Sequence, residues 1–233
     1  MTTLIYIPDT TGGLARLDEE ESRHLLTVLR KKEGDRLRVT DGKGFFYEAE
    51  IAEVGKKHAM VRLLSKTAVP SGRAGQLHLA IAPTKNMDRL EWFLEKATEI
   101  GVGSITPLLC DRSERTAVRI DRLEKVLISA MKQSLRAHLP LLHPPTPFLQ
   151  AVKNAGEAAK YLAWCADEPL PHLKSVLQPG LDTLIAIGPE GDFSQKEVAA
   201  ALAAGFQGVS LGEARLRTET AGVFAVACYN LLG

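Results

Sequence analysis

The chain is short of the features that would mark it as secreted, membrane-embedded or metal-bound. Its three cysteines, Cys110, Cys165 and Cys228, are odd in number, far apart and outside any Cys-x-x-Cys pattern. Neither a disulfide framework nor a metal site is expected, and buried free thiols are the plainer reading. No stretch approaches the ~20 apolar residues of a membrane span. The opening MTTLIYIPDT has no basic segment leading into a long apolar run, so a cytoplasmic location is the expectation. Neither GxGxxG after a strand nor GxxxxGK[ST] occurs, which argues against a nucleotide-dependent enzyme. Internal repeats and low-complexity tracts are also missing. Net charge is only +1, which by itself says nothing for nucleic acid.

What is present is an ordinary globular composition, 233 residues with 45% hydrophobic and 24% charged, enough for two unequal domains. The charge is unevenly spread. Residues 1–178 carry 26 Lys and Arg against 22 Asp and Glu, whereas residues 179–233 carry 3 against 6. One basic cluster comprises Arg23, Arg30, Lys31, Lys32, Arg36 and Arg38, and a second runs through Arg112, Arg115, Arg119, Arg122, Lys125, Lys132 and Arg136. Either can contact phosphates.

The pattern of apolar residues divides the chain. A strand at Leu4–Ile7, a helix at Glu19–Arg30 and strands at Arg36–Thr40, Phe45–Glu53 and His58–Leu64, with turns at Asp41–Gly44 and Val54–Lys57, predict a small β-barrel over residues 1–70. Pro70–Gly75 reads as a linker. From residue 76 to 233 strands and helices alternate. Strands are expected at Leu77–Ala82, Ser104–Leu109, Lys160–Trp164, Thr183–Ile187 and Gly208–Leu211; helices are expected at Asp88–Ile100, Asp121–Arg136 with Asp121 as cap, Ser194–Ala204 and Glu219–Leu232. Such alternation predicts a mostly parallel α/β sheet with helices on both faces.

Three segments carry the chemistry. The apolar strand Thr183–Ile187 runs into Gly188-Pro189-Glu190-Gly191-Asp192-Phe193, and Ser194-Gln195-Lys196-Glu197 then forms a capping box. Ligands bind at the carboxyl ends of strands in such sheets, and glycines let the backbone approach them; taken alone, a tight turn explains the segment equally well. A second loop, Leu211-Gly212-Glu213-Ala214-Arg215-Leu216-Arg217-Thr218-Glu219-Thr220, also follows a strand and leads into a helix, with Thr218 as the expected N-cap. Two such loops from neighbouring strand ends can close around one ligand. The last helix is apolar on nearly every face, so it must lie in the core or at a subunit interface. In the third segment Glu91, Glu95 and Glu99 share a helix face, for which a solvated stripe with local ion pairs is the ordinary account of Glu91 and Glu99.

These segments, Glu-Lys-Ala-Thr-Glu-Ile-Gly within Arg89–Gly101, Ile-Gly-Pro-Glu-Gly-Asp-Phe-Ser over Ile187–Ser194 and Leu-Arg-Thr-Glu-Thr-Ala over Leu216–Ala221, closely resemble the 16S ribosomal RNA uridine-N3-methyltransferases of the SPOUT superfamily. The resemblance extends to Ser22–Arg30 and so covers nearly the whole chain. It implies a PUA-like RNA-binding barrel, a SPOUT domain with a C-terminal trefoil knot, a homodimer acting on small-subunit RNA, and S-adenosyl-L-methionine as cofactor. Carried over by motif, Ile187, Gly188, Pro189, Glu190, Gly191, Leu211, Gly212, Leu216, Arg217 and Thr220 should bind the cofactor, with the loop after Trp164 as a third wall. Asp192 departs from the family's usual glycine. Met131–Arg136 departs by lacking an acidic residue before Gln133-Ser134.

Methylating a uracil ring nitrogen requires loss of its proton, so Arg217 is the expected stabiliser of the uridinate, with Glu219 or Glu95 as the proton acceptor. Arg23, Arg30, Arg36, Arg38, Arg112 and Arg115 are the candidate RNA contacts. A SPOUT enzyme acting on another RNA position and a non-catalytic RNA-binding assembly protein remain as alternatives.

Overall fold

The structure is a computed structural model and describes residues 3–55, 58–70 and 75–232. Lys56-Lys57 of one expected turn, and positions 71–74 of the expected linker, lie outside the described residues. The chain forms two compact units, one of Met1–Gly72 with Ile128–Leu139, the other of Arg73–Leu127 with Pro140–Gly233.

The first unit contains β1 (Leu4–Tyr6), β2 (Leu14–Arg16), α1 (Glu19–Arg23), β3 (Arg36–Thr40), β4 (Phe45–Val54) and β5 (Ala59–Ala68). They build a five-stranded sheet ordered β1-β3-β4-β5-β2, antiparallel except for the β1–β3 pair. Alternation along the strands sends Val39, Ala49, Ile51 and Val61 into a core shared with Ile5, Leu17 and Leu25. The helix expected over Glu19–Arg30 is shorter. After Arg23 it widens into a single π-type turn over His24–Val28, and Arg30 is left-handed at φ 54. The β-branched Thr27 and Val28 weaken the helix; Leu25 is buried while Val28 stays 64% exposed. β2 escaped the sequence because three residues with one buried side chain show no period.

The inclusion of Ile128–Leu139 in this unit was not foreseen. Gly44 N–H donates to Ala137 O at 2.9 Å and Leu139 N–H to Gly42 O at 2.8 Å. Lys132, in the segment noted above for lacking an acidic residue before Gln133-Ser134, pairs with the buried Glu21.

The second unit holds β6 (Leu77–Ile81), α2 (Met87–Ile100), β7 (Ser104–Leu109), the first part of α3 (Ile120–Gln133), β8 (Leu141–Leu142), β9 (Thr146–Pro147), α4 (Phe148–Asn154), β10 (Ala159–Ala163), α5 (Leu173–Val176), β11 (Thr183–Ile187), α6 (Gln195–Ala203), β12 (Gln207–Val209) and α7 (Thr218–Asn230). The parallel sheet runs β12-β10-β11-β6-β7-β8, with β9 also on β7. Asp121 is the second residue of α3 rather than its cap, and α4, α5, β8 and β9 were too short to read from periodicity.

Each central strand is buried on both faces, which is why these strands are continuous apolar runs. Ala80, Leu162, Leu184 and Ala186 face Val198 and Ala201 of α6 and Phe148 and Val152 of α4. On the opposite side α7 lies against α2 and β6. There a Cβ on Gly222 would fall 2.7 Å from the Phe93 ring and 2.8 Å from Ile81 Cδ1. Among the described residues no helix is long and apolar enough to cross a membrane.

Candidate functional site

Parallel strands bring their carboxyl ends to one edge of the sheet. There the loops after β10, β11 and β12 surround a cavity of about 1130 Å³. Its walls are the stretches 163–170, 187–190 and 209–218, joined by Arg89, His172, Asp192 and Ala221. The two glycine loops were expected from adjacent strands. They come instead from strands on either side of β10, so the Trp164 loop is the wall between them.

In the first glycine loop, a Cβ at Gly188 would stand 3.2 Å from two carbons of the Phe193 ring. Phe193 is buried in the α4–α6 core, so a side chain at position 188 would have to push that packed ring aside by a few tenths of an ångström. Asp192 is left-handed at φ 60, and its carboxylate accepts from Phe193 N–H at 2.8 Å and Cys165 N–H at 2.9 Å, tying this loop to its neighbour. The capping box at Ser194 is present. Its buried Glu197 also accepts from Asp111 N–H at 2.9 Å.

The second glycine loop turns at Gly212, whose φ of 126 favours glycine although the space around it is open. Thr218 is not the N-cap. Arg217 takes that position without a side-chain bond, while the Thr218 hydroxyl donates to Gly188 O at 3.1 Å. That hydroxyl links the two glycine loops instead of satisfying its own helix.

Of the residues expected at the cofactor, Ile187, Gly188, Pro189, Glu190, Leu211, Gly212, Leu216 and Arg217 line the cavity, whereas Gly191 and Thr220 do not. Gly191 is exposed outside the lining, its carbonyl accepting from Arg112 Nη1 at 2.8 Å. Of the catalytic candidates only Arg217 is in the lining. Glu219 sits behind it, 93% buried, with Oε1 3.8 Å from Arg89 Nε. Glu95 lies on α2, away from the lining, and pairs with Lys96 at 2.6 Å.

Several groups in the lining or next to it have polar atoms without partners among the described residues. Glu190 accepts from Lys85 N–H through Oε1 at 3.0 Å, but its Oε2 is buried and unbonded; so are the Trp164 indole N–H and Glu219 Oε2. A buried group of this kind costs about 1–3 kcal/mol unless something meets it. The cavity therefore suits a molecule with donors and acceptors as well as an apolar body, since Ile187, Leu211 and Leu216 supply the apolar wall.

Sequence reasoning named the Trp164 loop but no contacts in it, and it missed Arg89 and His172. Arg89 lay inside a recognised motif, but the spacing arguments there concerned the glutamates and assigned it no role. Cys165, expected to be buried, is exposed in the cavity wall; its thiol is pushed up by partial burial and then by the Asp192 charge. Cys110 and Cys228 are buried as expected.

The candidate RNA contacts differ in kind. Arg23 and Arg30 are exposed. Arg36 and Arg38 stand across from Glu50 and Glu48 on β4, and Arg38 lies 3.8 Å over the Phe46 ring. Arg112 and Arg115 are exposed and, among the described residues, bond only backbone carbonyls, those of Gly191 and Lys85.

A family model described as RNA methyltransferase domain matches residues 72–230, and one described as RNA methyltransferase PUA domain matches residues 17–64. The chain is 31% identical to ribosomal RNA small subunit methyltransferase E of Rickettsia conorii, covering 98% of this chain and 95% of that one. Its counterpart in Mycobacterium bovis is 30% identical over 100% and 93%. A solved structure from Porphyromonas gingivalis superposes with a TM-score of 0.89 at 42% identity, covering 97% and 95%. Ribosomal RNA small subunit methyltransferase E from Neisseria gonorrhoeae, solved bound to S-adenosyl methionine, superposes with a TM-score of 0.88 at 27% identity over 100% and 98%.

Proposed function

Because the chain belongs to the RNA methyltransferase family, with a SPOUT-type catalytic fold and a PUA domain, we propose that it methylates small-subunit (16S) ribosomal RNA at ring nitrogen 3 of one uridine. S-adenosyl-L-methionine is the methyl donor in this reading. The observation that carries it is the convergence of three loops on one cavity at the carboxyl ends of β10, β11 and β12.

The residues present fit the cofactor. The bare backbone of Gly188 and Gly212 permits close approach, the apolar wall suits its purine, and the orphaned Trp164 N–H and Glu190 Oε2 match its polar groups. When bound, it supplies a methyl carbon activated by a positively charged sulfur. The cavity volume of about 1130 Å³ exceeds the roughly 300–1,000 Å³ of ordinary small-molecule clefts, which leaves room for a nucleobase beside the donor. Arg217 orients that base and stabilises its deprotonated form. Arg112 and Arg115, beside the glycine loop, hold RNA phosphates, helped by Arg23 and Arg30 of the PUA unit. Partial exposure of Val223, Phe224 and Ala227 on α7 supports a homodimer built on that helix. A cytoplasmic site of action follows from the substrate.

The test is mass mapping of 16S RNA from cells lacking the protein. One base-methylated uridine should disappear, return with the wild-type gene and stay absent with Arg217→Ala. An unchanged methylation pattern rejects the reading, and loss of a ribose methyl group points to a different reaction of the same fold.

A further inference from the structure

Arg89 occupies the first turn of α2, whose N-terminus carries the positive end of the helix dipole. A cation is disfavoured there. Its side chain nevertheless reaches the cavity wall, and its Nε lies 3.8 Å from Oε1 of Glu219 in the first turn of α7. Glu219 is 93% buried, makes no hydrogen bond through Oε2 and does not line the cavity. The carboxylate is thus joined to the cavity lining through the guanidinium it pairs with. Arg217, the residue before α7, lines the same cavity and makes no ion pair among the described residues.

We propose that Arg89 is a second substrate-contacting arginine, sharing with Arg217 the negative charge that develops on the target uracil, and that Glu219 is the positioning residue that holds it. The proposal rests on the uridine-N3 reading given above. In the transfer step the N3 proton passes to water. The N3 lone pair forms the bond to the methyl carbon, and the carbon–sulfur bond breaks with its electron pair kept by sulfur. The charge on a uridinate is spread over N3 and the two flanking carbonyl oxygens. Two guanidinium groups therefore serve it better than one, and both favour loss of the proton. Glu219 then needs no proton-accepting role.

The test uses the full-length protein, small ribosomal subunits from cells lacking it, and methyl-labelled S-adenosyl-L-methionine. Arg89→Ala should lower kcat by about 10²-fold, the usual cost of one charge-stabilising donor. Its affinity for S-adenosylhomocysteine, measured by calorimetry, should change by less than about twofold, since a tenfold change would require 1.4 kcal/mol of lost cofactor contact. The rising limb of its pH–rate profile should move to higher pH, because the uracil proton is harder to remove with one cation gone. Arg89→Lys should recover part of the rate. Glu219→Gln should fall between wild type and Arg89→Ala, and the double variant should be no slower than Arg89→Ala.

Wild-type kcat and pH profile in Arg89→Ala overturn the proposal. So does a double variant whose losses multiply, which would make Glu219 an independent proton acceptor. If the wild-type protein transfers no methyl group to the subunit, the functional reading itself fails and takes this inference with it.

Discussion

Asp192 shows how one residue combines a local cost with a tertiary gain. A side chain at φ 60 costs about 1–2 kcal/mol relative to glycine, and the aspartate offsets this through two backbone N–H groups in different loops. Asp192→Ala keeps the strain and loses both bonds, whereas Asp192→Gly loses the bonds but sheds the strain. The glycine variant should therefore be the more stable of the two by about 1 kcal/mol in urea unfolding. Equal stability, or a more stable alanine variant, would show that Asp192 is unstrained. The sequence marked this position as a departure from its family but not the consequence, because the Cys165 N–H that rewards it lies in a loop 27 residues away.

At the scale of elements, α7 joins the site to the core. Thr218 ties its start to Gly188 O, and Gly222 lets it settle onto Phe93 of α2 and Ile81 of β6. Glycine inside a helix is ordinarily a defect, and replacing it with alanine gains about 1 kcal/mol. Here the new methyl group would lie 2.7–2.8 Å from atoms of two fully buried side chains. Overpacking of this kind costs about 1–3 kcal/mol, so with the propensity gain of about 1 kcal/mol subtracted, Gly222→Ala should lower stability by up to about 2 kcal/mol. A raised melting temperature would contradict the packing. The strands Arg36–Thr40, Ser104–Leu109 and Thr183–Ile187 were read to the residue because each shows a clean pattern between sharp turns. The short elements β2, β8, β9 and α5 were not, since two to four residues carry no period and form through contacts alone.

For the whole molecule the near-zero net charge leaves RNA binding to local distribution. Arg36 and Arg38 face glutamates on the neighbouring strand, while Arg112 and Arg115 bond carbonyls and make no ion pair among the described residues. Replacing Arg112 and Arg115 with alanine should reduce the salt slope of subunit binding by about 1.4–1.8, or ~0.7–0.9 for each lost phosphate contact. Replacing Arg36 and Arg38 should reduce it by less. Equal reductions would mean that the strand glutamates do not screen their neighbours. The sequence by itself determined the alternation that builds a parallel sheet, the two glycine loops at its carboxyl edge and the motifs that place the chain in its family, because these depend on residue type at short spacing. Only the tertiary structure decided that β10 separates the two glycine strands, that Ile128–Leu139 packs with the first unit, and that Arg89 stands between Glu219 and the cavity. Each of these is a contact between segments far apart in the chain, where local pattern carries no information and packing alone selects the partner.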